Sequence, residues 1–508
     1  MRREPICLDA DVDAILSTFK RRSGFDGVEY EVKPRADAQA LILHMANPTE
    51  RFFRVLQEAK AEIHSDDLPT ATIRKRTPRN RLQSPEAKYL LQTLSESLNI
   101  SRSSFNEDFF ARYTKSVSNA ESQVTAGANH IVFGRRGAGK SSLLLYALRS
   151  RDSETQPSAW IDMQVYEKRN DNRVILDLLA NVLGQLEPFL RRSLSYSQTT
   201  SAVQRLRKET NLTDDLIRKF LPDLRHTFSA LEERTKSVFL FLDDFHVVDM
   251  SIQPKLLGFL YSISRGSNLF LKLSAIETLT RTWDSKAHAG LQVPHDAQTI
   301  KLDYNLTMPD RAASHIEGIL DAHAVYCGLP SVRFLCTSGD VLSRLVWVSA
   351  GVPRDALNMF AQAMTKGTTE GRSRVSVTNV NVAASEMVSQ KLRDLEVDVP
   401  GSTIEMSLAN LLEALKDFCI KRERKNAFLV EIRKDTDYQN ILKLVDLRLV
   451  HVISEGITVG EAGRKYLALI LDYGFYTGIR AAQSVDLFNR QTQRVAYKDL
   501  RKLPVFER

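Results

Sequence analysis

The sequence predicts an α/β fold built on a parallel sheet, and three observations predict it. An apolar run, Ile131-Val132-Phe133, feeds a glycine-rich turn from Gly134 to Gly139 and then the helix-forming segment Leu143 to Leu148. A second apolar run, Val238 to Leu242, ends in two acids, Asp243 and Asp244. Between residues 126 and 305 such runs alternate with segments of helical period, as strands joined by crossover helices do.

At 508 residues the chain exceeds what one core can organise, and about three domains are expected. Its 43% hydrophobic and 26% charged residues are those of ordinary globular material. No window approaches eighteen uncharged apolar residues, and the opening MRREPICLDADVD lacks the apolar centre of a signal peptide. A cytoplasmic protein with no membrane contact is expected. Cys7, Cys327, Cys336 and Cys419 are scattered without metal-ligand spacing and read as reduced thiols. The formal charge of +8 is modest, so clustering says more than the sum. Basic residues gather at Arg74 to Arg81, at Lys421 to Lys425, and in a tail with Arg490, Arg494, Lys498, Arg501 and Lys502.

In chain order, residues 1–125 read as an N-terminal helical region with a proline-punctuated linker near Pro69 to Pro85. The segment from Phe105 to Tyr113 forms an aromatic helical face. Residues 126–305 form the α/β core, with strands at Ile131 to Phe133, Ala159 to Met163, Val238 to Leu242, Leu269 to Leu273 and Thr299 to Leu302. About seventy residues between the second and third strands read as a helical insertion. Residues 306–395 read as a helical lid, punctuated by Gly328, Pro330, Gly351 and Pro353. Residues 396–508 follow the order helix, strand Ala427 to Ile432, helix Tyr438 to Leu447, wing hairpin His451 to Val459 and helix Glu461 to Leu471, a winged helix with a tail.

The chemistry concentrates in two motifs. Gly134-Arg135-Arg136-Gly137-Ala138-Gly139-Lys140-Ser141-Ser142 has P-loop spacing after a strand and before a helix. Backbone N–H groups of such a turn wrap phosphates, and the helix N-terminus faces their charge. Gly137 and Gly139 admit the close approach that a Cβ would block. Lys140 is placed to reach β- and γ-phosphates, and Ser141 to ligate Mg²⁺. The acidic pair ends a neighbouring strand at the phosphate edge, with Asp243 on Mg²⁺ and Asp244 at the attacking water. Asp244 is one methylene shorter than Glu, which leaves slow turnover or a pure switch open. Ser274, after the Leu269 to Leu273 run, is expected beside the γ-phosphate between the two motifs. Arg281 and Arg265 are candidates for an arginine acting on a neighbouring subunit's nucleotide. Pro353-Arg354 opens a lid helix, and a cation is unfavourable at a helix N-terminus, so Arg354 is expected to serve the γ-phosphate.

GRRGAGKSS, FLFLDD, the strand leading to Ser274, GVPRDAL and the C-terminal element order together resemble AAA+-type ATPases of the origin-recognition-complex and STAND group, over roughly residues 126–480. The resemblance implies an α/β parallel-sheet P-loop NTPase core with a helical lid domain and a C-terminal winged-helix domain. It implies ATP rather than GTP, with Mg²⁺, bound between core and lid, and nucleotide exchange that switches assembly or partner binding. GRRG and LDYGFYTG also resemble bacterial ATPases of mobile elements and antiviral defence. The expected partners are a second copy or a partner protein, and double-stranded DNA through the winged helix, whose candidate recognition segment carries Lys443 and Arg448. Alternatives of other classes are a non-hydrolysing nucleotide-bound regulatory protein and the ATPase subunit of a defence complex with a separate effector.

Overall fold

The computed structural model describes the chain except residues 1–9, 35–38, 64–68, 153, 192–193, 233–234, 303–305, 307, 399–402, 434, 460–463, 478–484, 489–491, 494 and 508. By internal contacts it divides into two units, one of Met1–Asn99 with Tyr304–Arg508, the other Ile100–Asp303. Among the described residues no helix is long and apolar enough to cross a membrane.

The first unit begins with a sheet of β1 (Glu29–Pro34), β2 (Gln39–Met45) and β3 (Thr70–Lys75). β1 pairs antiparallel and β3 parallel with the central β2. Helices Ala10–Ser23 and Glu50–Ala61 lay Val12, Ile15, Phe19, Phe52 and Leu56 into one core with Leu41 and Leu43 of β2. The reading of this stretch as helical with a linker is therefore corrected. β1 is exposed along most of its length, so its polar sequence EYEVKP carries no buried alternation to read. The supposed linker ends in a helix, Pro85–Glu96, capped by the Ser84 hydroxyl, which accepts the Ala87 N–H at 3.2 Å. Leu90 and Leu94 of that helix join Leu320, Leu345, Trp347 and Phe360 of the segment expected to be a lid.

The second unit carries a parallel five-stranded sheet. Its strands are β4 (His130–Phe133), β5 (Ser158–Asp162), β6 (Val238–Asp243) and β7 (Leu269–Ala275). After a short hairpin of β8 (Trp283–Asp284) and β9 (Ala289–Gly290), β10 (Gln298–Lys301) completes it. All five expected strands are present, displaced by no more than a residue or two at either end, and their order is β10-β4-β7-β6-β5. Alternate residues of β6 enter different cores. Val238, Leu240 and Leu242 pack with Leu269 and Leu271, while Phe239 and Phe241 pack with Leu144, Ala147 and Ile300. Burial on both faces is why β6 reads as an unbroken apolar run. The insertion is helical, with Arg173–Leu190 burying Ile175, Leu179, Val182 and Leu186. Phe105 and Phe109 pack on Leu145, and Phe110 and Tyr113 stack on Tyr146 at 5.2 and 4.7 Å. That aromatic segment thus lies within the second unit, whereas the sequence reading set it before a boundary at 125.

Helices Pro309–Tyr326, Asp340–Val348, Pro353–Thr369 and Val377–Asp398 carry the first unit onward. Helix Thr403–Lys416, with a π-helical turn Asp417–Arg422, then leads into β11 (Ala427–Glu431), helix Thr436–Asp446, β12 (Val450–Ile457) and β13 (Tyr466–Leu471). The sheet order is β11-β13-β12, antiparallel throughout. Two expectations are corrected. The hairpin joins β12 to β13 instead of turning within His451 to Val459, and the run YLALIL is the central strand, not a helix. All six of its residues are buried, and a short run buried on both faces has no period to separate strand from helix.

Directly after β13, Asp472 accepts hydrogen bonds from Lys391 Nζ at 2.8 Å and the Gly474 N–H at 2.9 Å, with His451 Nε2 at 2.9 Å. Lys391 also donates to the Arg448 carbonyl at 3.0 Å. The Arg448 guanidinium binds both carboxylate oxygens of Asp355 at 2.6 and 2.8 Å. Arg448 lies just beyond the end of helix Thr436–Asp446. Of the tail cations, Arg490 and Arg494 fall outside the described residues, as does Cys7. Cys327, Cys336 and Cys419 are buried.

Candidate functional site

The glycine-rich turn follows β4 and ends where helix Lys140–Arg149 begins. Gly137 and Gly139 hold φ of +82° and +92°, a region that residues with a Cβ enter only under strain. A Cβ on Gly134 would stand 3.2 Å from the Ala138 Cβ, so this residue is glycine for space. Ala138 closes the turn by donating its N–H to the Arg135 carbonyl at 3.2 Å. Lys140 is buried and donates from Nζ to the same carbonyl at 3.2 Å. Arg136 is exposed, and Ser141 and Ser142 are half-buried on the first turn of the helix.

The sheet order brings the two motifs together. β7 lies between β4 and β6, with Ser274 opposite Val132 in register. Asp243 Oδ1 accepts hydrogen bonds from Ser141 Oγ at 3.0 Å and Ser274 Oγ at 2.5 Å. Ser274 Oγ in turn accepts the Asp244 N–H at 2.8 Å. The hydroxyl that the sequence directed toward a γ-phosphate is engaged here in bridging the two acids. Asp244 itself sits in the left-handed region, φ +56° and ψ +42°, at the sharp turn out of β6. Its Oδ2 accepts a hydrogen bond from Gln164 Nε2 at 3.3 Å, and its Oδ1 lies 3.9 Å from Nδ1 of the buried His246.

Acids crowd this end of the sheet, for Asp162 closes β5 directly opposite Asp243. Burial pushes the Asp243 carboxyl up to about 6, and the charges of Asp244 and Asp162 add to the rise, against the lowering by the Ser274 and Ser141 hydroxyls. Burial likewise holds His246 down at about 4, with Lys140 and Arg136 contributing and Asp244 opposing. At neutral pH His246 is thus a neutral imidazole. A carboxylate crowded by like charge beside a serine hydroxyl is a set that a hard cation relieves. Among the described residues no group of three or more His, Cys, Asp or Glu could enclose a metal. The Ser141 hydroxyl and the Asp243 carboxylate fit Mg²⁺, which keeps several waters and takes one or two protein oxygens together with phosphate.

Arg281 is exposed and paired with Asp284 at 2.9 Å, and its N–H donates to Gln253 Oε1. Arg265 is exposed at the end of helix Gln253–Ser264. Pro353 is buried at the first position of its helix and Arg354 is exposed in the first turn. Asp162, Gln164 and His246 were missed by sequence reasoning. Asp162 had a signal, since it ends its apolar strand as Asp243 ends β6; Gln164 and His246 had none.

No protein-family model matches the chain, and no curated protein matches it. Among solved structures it is similar to Cdc6p from Pyrobaculum aerophilum, at 14% identity over 76% of this chain and 98% of that one, with a TM-score of 0.36. It is similar to a Walker-type ATPase of Pyrococcus abyssi at 14% identity, covering 74% of this chain and 99% of the other, with a TM-score of 0.39. It is also similar to the Aeropyrum pernix ORC1 protein, solved in complex with DNA, at 16% identity over 73% and 92% of the two chains, with a TM-score of 0.38.

Proposed function

We propose that the chain binds ATP with Mg²⁺ at the turn Gly134 to Ser142, hydrolyses it, and uses the cycle to control engagement of duplex DNA or a partner protein. One observation carries the nucleotide reading. Two separate segments, the helix start at Ser141 and β7 at Ser274, converge on a single carboxylate oxygen of Asp243 at the end of β6, and the residue before Ser141 is the buried Lys140. In this reading the backbone N–H groups of the turn and Lys140 take the phosphates. Ser141 and Asp243 hold Mg²⁺, which neutralises charge on the phosphate oxygens. Asp244 accepts the proton of the attacking water, with Ser274 fixing the spacing of the two acids. Arg354 serves the γ-phosphate, and a subunit-bridging role is assigned to Arg281 before Arg265.

The partner half of the proposal rests on the exposed Lys421, Arg422, Arg424 and Lys425 beside the β11-β13-β12 module, which we read as a winged-helix variant. The test is ATP turnover with and without duplex DNA across a salt series. Turnover stimulated by DNA, with stimulation fading as salt rises, is expected. Lys140→Ala is expected to abolish ATP binding, and unchanged ATP affinity in that variant would overturn the site. The second reading, a nucleotide-bound switch without turnover, is favoured by the short second acid at Asp244. It predicts ATP binding with no phosphate release in any condition.

A further inference from the structure

Asp244 is held at its backbone and at one carboxylate oxygen, and its other oxygen faces a group, His246, that the reading above does not use. Its backbone is fixed by the left-handed turn and by the N–H bond to Ser274 Oγ. Oδ2 takes the Gln164 amide. Oδ1 faces His246, whose side chain is 4% exposed and whose Nδ1 has no hydrogen-bond partner among the described residues. A buried ring nitrogen without a partner is rare and costly in a native protein. The 3.9 Å separation is too long for a hydrogen bond, and a shift of about 1 Å closes it.

We infer that His246 is a positioning residue for Asp244, donating a hydrogen bond from Nδ1–H to Oδ1 when the carboxylate turns to its working orientation. This rests on the proposed role of Asp244. A neutral imidazole carries one proton, and the facing carboxylate favours the tautomer with that proton on Nδ1. The ring moves no proton in the reaction. It fixes the direction of a carboxylate lone pair toward water, which a short Asp side chain on a strained turn cannot do through its own length. Catalytic carboxylates misplaced by about 1 Å lose turnover on the order of 100-fold.

The experiment uses the full chain and compares His246→Ala, His246→Asn and His246→Gln with wild type and Asp244→Asn, in ATP turnover and in ATP binding. Asn places an amide N–H near the Nδ1 position; Gln places its amide nearer Nε2. We expect kcat to fall about 10- to 100-fold in His246→Ala. We expect the KM and Kd for ATP to stay within about threefold, His246→Asn to recover most of the loss and His246→Gln to recover little. A merely structural histidine would lose binding along with turnover and would not sort Asn from Gln. If the Ala variant does not fold, the Asn and Gln pair decides. Turnover abolished in Asp244→Asn but retained in His246→Ala, or equal rates in the Asn and Gln variants, overturns the inference alone. Full turnover in Asp244→Asn, or none in wild type, overturns the role of Asp244 and the inference with it.

Discussion

Asp243→Asn is expected to stabilise the nucleotide-free protein while abolishing its activity. The carboxyl lies at the end of β6 among Asp244, Asp162 and apolar strand, and its folded-state value is pushed from 3.8 to about 6. A raised carboxylate value means that the folded chain binds a proton the unfolded chain releases. The contribution is fully present below about pH 4 and is lost as pH rises through about 6. A shift of about two units corresponds to about 3 kcal/mol at about 1.4 kcal/mol per unit. Asparagine removes the charge and keeps an Oδ1 acceptor for the two bonds from Ser141 and Ser274. Urea unfolding in EDTA without nucleotide therefore separates the chains by up to about 3 kcal/mol at pH 8, with the variant the more stable, and the difference closes as pH falls below about 4. Adding Mg²⁺ and ATP at about 100 times Kd stabilises wild type by about 2.7 kcal/mol and the variant by much less. A variant less stable than wild type at pH 8 in EDTA refutes the reasoning.

The Asp472 network makes a contrasting prediction. Asp472→Ala strands the largely buried Lys391 ammonium and is expected to cost about 3–5 kcal/mol in the same urea assay, whereas Glu62→Ala, at an exposed cluster with Arg21 and Arg22, is expected to change stability far less. Lys391 and His451 hold the Asp472 carboxyl well below its usual range despite its burial, so its stabilisation is present above about pH 4 and fades only in stronger acid, the reverse of Asp243. Gly139→Ala meets no atom within 4 Å, yet φ of +92° strains it, so a loss of about 1–2 kcal/mol is expected in unfolding together with weakened ATP binding in titration calorimetry. Arg354→Ala is expected to leave ADP affinity unchanged and to lower ATP affinity about 5- to 20-fold in the same calorimeter, the loss of one charge-assisted contact to the γ-phosphate.

The sequence by itself determined the place and form of the glycine-rich turn and the existence of the five core strands. Glycines at fixed offsets, the lysine and serine at the helix start, and apolar runs ending in acids are local patterns with local physical causes. It also marked the helical insertion through its 3.6-residue period. The tertiary structure decided what those patterns meet. Pairing β7 between β4 and β6 is a non-local choice, and it alone turns Ser274 from a strand residue into the bridge between Asp243 and Asp244. Gln164 reaches Asp244 the same way, across the ends of β5 and β6, while His246, two residues on from Asp244, faces it through burial that no window of sequence records. The exposed β1 and the doubly buried β13 escaped for opposite reasons, one with no buried face and the other with two. Periodicity reports burial on one side only, so an element with neither face or both faces covered becomes legible once its neighbours are in place.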